Sequence, residues 1–197
     1  MVDDPQIIAN KFNEFYSNDA NNECMNIPQS DYSFRDFLRP ADPGNINWEL
    51  TNCHEVKRIV DKLNNVKHGP DKIPISIIKK NIDILSPILT HLCNLSLRTG
   101  IFPAIHKKGI ITPLYKKNDK YDISNYRPIC ALNAMSKLLE RIVFLRIINH
   151  LESKNLISRS QYAYRTGRST EIAATKFVND VLRGFDEGNY TIATFLD

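Results

Sequence analysis

Lys116 and Lys117 close the apolar run GIITPLY, Arg127 stands near the start of the run YRPICAL, and the polar segment NDKYDISN separates the two. If the runs pair as a hairpin, their cationic heads can converge on one face although Lys116 and Arg127 are eleven positions apart. Phosphate is the ligand that suits them: arginine offers a planar fork of permanent charge, and lysine a mobile point charge. Solvated loop charges would have the same composition. A second group, Gln161, Tyr162, Tyr164, Arg165 and Arg168, interleaves aromatics with arginines ahead of a helix start. That pattern suits stacking and backbone contact with single-stranded nucleic acid. Core tyrosines beside surface arginines are the structural alternative. Asp197 ends an apolar run, where a carboxylate is either a turn former or a ligand for a hard cation. The residues alone favour the turn, because a cation such as Mg²⁺ takes one or two carboxylates plus substrate phosphates and no second acid stands near Asp197.

The charge distribution singles out the first group. Between Lys107 and Arg141 there are eight Lys and Arg against three Asp and Glu, a balance of +5 where the whole 197-residue chain carries +4. A polyanion would be drawn there and would release counterions. The four cysteines, Cys24, Cys53, Cys93 and Cys130, lie far apart without a C-x-x-C pair, which argues against zinc or a disulfide framework and for free thiols in a reducing compartment. No secretory leader and no membrane-length apolar run is evident, so the expected setting is intracellular and away from membrane.

The elements that must position these residues follow from periodicity. Residues 5–17 repeat Ile7, Ile8, Phe12, Phe15 and Tyr16 at helical spacing after a proline suited to a first turn. Residues 18–50 lose periodicity and read as irregular. A loose boundary falls near residue 50, dividing an N-terminal extension (1–50) from a main domain (51–197). Asn52 and Glu55 fit a capping arrangement for a helix ending near Asn65. GPDKIP is a turn, and two helices follow, the second opening at Ser86 and Pro87 and stopping at Gly100. GIITPLY reads as an edge or bulged strand because Pro113 interrupts it, and YRPICAL as its return strand. Asn133 precedes a helix of about twenty residues with a broad apolar face. A further helix is capped at Ser169 or Thr170 and ends at Gly184, and YTIATFLD has the composition of a strand.

Taken in order, GPDKIP, the segment from Gly100 to Val143, LISRSQYAYRTGRSTEIA and TIATFLD resemble the successive early motifs of the reverse transcriptase of non-LTR retrotransposons of the LINE and jockey-like type. The order and spacing of four motifs make the resemblance specific, and it covers residues 52–197. It implies an α+β fold, the fingers of a right-hand polymerase plus the first strand of its palm, helix-rich and incomplete. The implied activity is RNA-directed DNA polymerisation by two-metal nucleotidyl transfer, copying the RNA of a mobile element. RNA template, DNA primer or target and dNTPs are the implied partners, and a nuclear and cytoplasmic ribonucleoprotein the implied location.

The resemblance also assigns roles. Lys116 and Lys117 fall where a basic residue faces template or incoming nucleotide, and Asn125-Tyr126-Arg127-Pro128 matches the N-Y-R-P motif whose arginine reaches the dNTP triphosphate. Gln161, Tyr164 and Arg165 match Q-x-G-F-R of the template and nucleotide pocket. Asp197 matches the first palm aspartate, a catalytic ligand of Mg²⁺, which reverses the turn reading. Three positions depart from the pattern: Lys72 replaces the second glycine of G-P-D-G-I-P, His106 stands at a frequent tryptophan, and Ala163 replaces the glycine of Q-x-G-F-R. The paired aspartates of the Y/F-x-D-D palm motif do not occur, so the chain is expected to be a truncated portion, inactive alone. The alternative is a non-catalytic RNA- or DNA-binding module derived from such an element.

Overall fold

A computed structural model describes residues 4–28, 30–37, 44–64 and 69–196, and the chain divides into two compact units, Met1–Ile147 and Ile148–Asp197. The described residues form a helix-rich α+β structure. Its helices are α1 (Pro5–Asn26), α2 (Cys53–Lys62), α3 (Ile75–Lys80), α4 (Ile82–Thr99), α5 (Ala134–Ser153) and α6 (Thr170–Asp186), and its one sheet pairs β1 (Gly109–Tyr115) with β2 (Tyr126–Leu132). No helix among the described residues is long and apolar enough to cross a membrane.

The core of the first unit joins α2, α4 and α5. Val56, Ile59, Val60, Cys93, Leu138, Leu139 and Ile142 form one buried cluster, with Leu89, Leu97 and Val143 packed against it. Truncating a side chain as enclosed as Ile142 to alanine costs about 2–5 kcal/mol, through lost transfer energy plus a cavity. All four cysteines are free, and burial pushes the Cys93 thiol up to about 12.

Polar side chains close the ends of this helical layer. The Asn52 Oδ1 accepts from the Glu55 amide at 2.9 Å, which caps α2 as its sequence indicates. Arg146 of α5 donates to both Glu55 carboxylate oxygens (2.9 and 2.7 Å) and to the Glu49 carbonyl, while Thr51 exchanges two bonds with the Asn94 side chain. The chain entering α2 is thereby tied to α4 and α5. At the β2–α5 junction the Asn133 Oδ1 accepts from the Ser136 amide and hydroxyl (2.7 and 2.6 Å), and its amide contacts the His106 ring at 3.2 Å.

Three sequence expectations need correction. The helix expected over 5–17 continues to Asn26, because propagation adds one hydrogen bond per residue once Asp4 and Pro5 have fixed the first turn. The helix expected to open at Ser86 and Pro87 begins at Ile82, with Pro87 inside it. The break falls instead at Asn81, whose side-chain amide donates to the Ile77 carbonyl at 2.9 Å and whose own carbonyl accepts from Ile84 and Leu85. Of the two readings of GIITPLY the edge strand holds: β1 is one of the two strands of its sheet, and Pro113 sits within it in continuous register, without a bulge. Finally, residues 190–196 form no strand: composition suits them to one, but no neighbouring strand pairs with them among the described residues. Asn65, where α2 was expected to end, lies outside the described residues; α2 itself ends at Lys62.

Candidate nucleic-acid interface

The β1–β2 ribbon sets the positions of the first predicted group. Its register pairs Leu114 with Arg127 and Tyr115 with Tyr126, and the Lys116 amide donates to the Asn125 carbonyl at 2.8 Å. Alternation across an antiparallel ladder then puts Ile110, Thr112, Leu114 and Lys116 on one face with Asn125, Arg127 and Ile129. Lys116 and Arg127 are diagonal neighbours on that face, close enough for long side chains to act together. The same alternation makes Pro113 and Pro128, directly opposed, a non-hydrogen-bonded pair. Neither proline removes a ladder bond, and both leave an outer edge without a donor, which discourages further strand addition.

The two faces differ. The face bearing Tyr115 and Tyr126 receives α1: the Phe12 ring meets Tyr126 edge-on at 5.2 Å, and the Tyr16 hydroxyl donates to the Tyr126 carbonyl at 3.4 Å. Burial pushes the Tyr16 phenol above its usual pKa. The opposite face is open, with Ile110, Leu114 and Ile129 each 45–56% exposed beside Lys116 and Arg127.

The turn between the strands is held by its own side chains. Tyr115 Oη donates to the Asn118 carbonyl (2.5 Å), Asn125 Nδ2 to the Asp119 carbonyl (2.9 Å) and Tyr126 Oη to the Lys120 carbonyl (2.9 Å). Two hydrogen bonds from Ser124 hold the Asp122 carboxyl below the usual carboxylate range. Lys116, Lys117 and Arg127 have no ion-pair partner among the described residues, so their charge is uncommitted.

The second predicted group lies in the second unit, on the loop between α5 and α6. Ser169 caps α6 by accepting from the Ile172 amide at 3.2 Å, and Asn155 ends α5 with φ +54. Arg165 is committed: its guanidinium grips both oxygens of Glu152 (3.1 and 2.9 Å) and the Ser158 carbonyl (3.0 Å), with its side chain only 12% exposed. It fastens the loop to the end of α5. That partnership across thirteen residues has no local sequence signal, so neither Glu152 nor Ser158 stands out by composition. Arg168 lies over the Tyr162 ring at 5.3 Å. Gln161 is exposed, and Tyr164 is 94% exposed with φ +59. The left-handed residue of this motif is therefore Tyr164 rather than Ala163, and Tyr164 is not a core residue.

Asp197 lies outside the described residues. Among the described residues no three His, Cys, Asp or Glu side chains gather as a metal site requires, so they do not by themselves compose a divalent-metal centre.

Searched against protein families, the chain matches no family model. It is 29% identical over 146 residues to the probable RNA-directed DNA polymerase from transposon X-element of Drosophila melanogaster, covering 74% of this chain and 16% of that protein. It is 29% identical over 160 residues to the RNA-directed DNA polymerase from mobile element jockey of Drosophila funebris (80% and 17%), and 27% identical over 145 residues to that of Drosophila melanogaster (73% and 16%). The matched region thus spans about one sixth of the length of these curated relatives. The chain is a homologue of the RNA-directed DNA polymerases of jockey-like non-LTR retrotransposons.

Proposed function

We propose that this chain supplies the nucleotide- and template-holding fingers, with the start of the palm, of an RNA-directed DNA polymerase that copies the RNA of a mobile element. One observation carries the reading: Lys116 and Arg127 share one face of the ribbon, opposite the face on which α1 packs against Tyr126. In the reaction a primer 3′-hydroxyl attacks the α-phosphorus of a dNTP and pyrophosphate leaves. Arg127 and Lys116 hold and neutralise the triphosphate, and preorganised cations of this kind stabilise charge as it shifts toward the leaving group. Lys117 extends the basic surface toward template. Gln161 and Tyr164 offer an amide and a ring to the template and nucleotide pocket, and Arg165 holds their loop on Glu152. Asp197 is the proposed carboxylate for a catalytic divalent ion, Mg²⁺ by its preference for oxygen ligands. RNA template, DNA primer and dNTPs are the partners, in a nuclear and cytoplasmic ribonucleoprotein. A purely binding module is not favoured, since the relatives are named as polymerases.

The test is binding and extension with the 197-residue polypeptide. A labelled primer–RNA template should bind in low salt, and Lys116→Ala with Arg127→Ala should lower the slope of log K against log salt by about 1.4 to 1.8, two phosphate contacts' worth. Primer extension with dNTPs and Mg²⁺ should give no product, because Asp197 alone of the required carboxylates is in the polypeptide. Unchanged binding by the double variant would remove the ribbon from the interface, and processive synthesis would refute the division of labour.

A further inference from the structure

We infer that a pocket between α2 and α5, apart from the ribbon, is a second phosphate-binding surface for a nucleic-acid strand; the inference rests on the polymerase reading above. The pocket has a volume of about 510 Å³ and is lined by Arg58, Lys62 and Arg141 over a floor of Ile59, Leu63 and Leu145, with no acidic residue in its wall. The three cations are exposed, and none has an ion-pair partner among the described residues. Arg58 acts on Glu55 only electrostatically, while both Glu55 oxygens are gripped by Arg146. Arg141 rests on the Phe144 ring at 4.9 Å, which leaves its N–H groups free to donate. Lys62 also complements the carboxyl end of α2, a role that needs no ligand. Arg58 and Arg141 have no such structural duty.

The chemistry favours a strand over a single small anion. Arg58 and Lys62 lie one turn apart on α2, about 6 Å between neighbouring side chains, and Arg141 faces them from α5. A row of cations at that spacing matches a chain of fixed, repeated charges. Two guanidiniums suit the planar fork geometry of phosphate oxygens, and the apolar floor lowers the local dielectric behind them. Arg141 lies eight residues beyond Asn133, roughly 12 Å along α5 from the foot of the ribbon. A strand long enough to span both surfaces would be held at two places.

A fluorescence-anisotropy titration of the full 197-residue chain with a labelled 20-nucleotide single-stranded RNA, from 25 to 200 mM NaCl, tests this. Arg58→Gln, Lys62→Gln and Arg141→Gln together, with Lys116 and Arg127 intact, should reduce the salt slope by about two, as loss of three contacts to a single strand requires. The fold should be retained, with the thermal melt lowered by only a few degrees through loss of the Lys62 charge at the end of α2 and of the Arg141–Phe144 contact. If the triple variant keeps the wild-type slope while Lys116→Gln with Arg127→Gln loses it, the pocket proposal fails and the polymerase reading stands. If the unmodified chain shows no salt-dependent binding, both fail. Polyglutamate competing as well as unlabelled RNA would overturn the assignment to phosphate.

Discussion

A Cβ on Gly69 would stand 2.4 Å from the Asn133 amide nitrogen and 2.6 Å from the Asn133 Cα, so the 69–74 turn lies directly on the β2–α5 junction. Both neighbours are backbone and cannot swing aside. Gly69→Ala must therefore displace either the turn or the cap of α5, and overpacking of this kind costs about 3 kcal/mol. Urea denaturation of the variant should show the midpoint falling with little change in slope. The added methyl would be aimed at the Leu132–Asn133 backbone, so loss of binding should follow loss of fold.

Lys72 has the opposite character. It stands where the family pattern has a second glycine and adopts φ +57, its amide donating to the Gly69 carbonyl at 3.0 Å. The glycine-type turn is thus kept with a residue that favours it less. A left-handed non-glycine residue costs about 1–2 kcal/mol, partly offset by the greater chain entropy that glycine loses on folding. Lys72→Gly should stabilise the chain by about 0.5–1 kcal/mol, raising the melting temperature by roughly 1–4 °C, whereas Lys72→Ala should leave it near wild type.

The Arg146–Glu55 pair predicts a pH dependence. Hydrogen bonds from Arg146, opposed by desolvation and aided by Thr51, hold the Glu55 carboxyl below its ordinary value of 4.5. A carboxylate depressed on folding contributes stability above its unfolded pKa and loses it as pH falls through the folded value. Stability should thus decline below about pH 4.5, and Arg146→Met should flatten that part of the decline. At neutral pH, Arg146→Met should itself cost about 3–5 kcal/mol, since it leaves a mostly enclosed charge unpaired. Denaturant melts of both proteins between pH 3 and 7 measure the two effects together.

These residues also show why parts of the structure were legible in sequence. The Asn52 and Ser169 caps, the left-handed Gly100 and the pairing of GIITPLY with YRPICAL are governed by neighbours within a few residues or by simple alternation. The placement of Lys116 beside Arg127 followed from that pairing. Arg165 is different: its place among tyrosines and arginines suits contact with a nucleic-acid backbone, whereas its ion pair with a carboxylate thirteen residues upstream has no local signal. The run before Asp197 likewise had strand composition without a partner strand among the described residues, and pairing rather than propensity makes a strand. The closeness of Gly69 to Asn133, sixty-four residues apart in the sequence, is a tertiary fact that no local pattern encodes.

Tyr164 separates stability from binding. Its ring is 94% exposed and its backbone is left-handed at φ +59, so the fold gains little from the side chain and carries its strain. Strain at an exposed aromatic suits a stacking platform, the role proposed for it in the template and nucleotide pocket. Tyr164→Gly should therefore leave stability unchanged or raise it by about 0.5 kcal/mol, while weakening single-stranded RNA binding by about 1–3 kcal/mol, the worth of one stacked base. Tyr164→Phe should preserve both. A glycine variant that melts later and binds as tightly as wild type would show that the ring touches no base, leaving the strain without a functional counterpart.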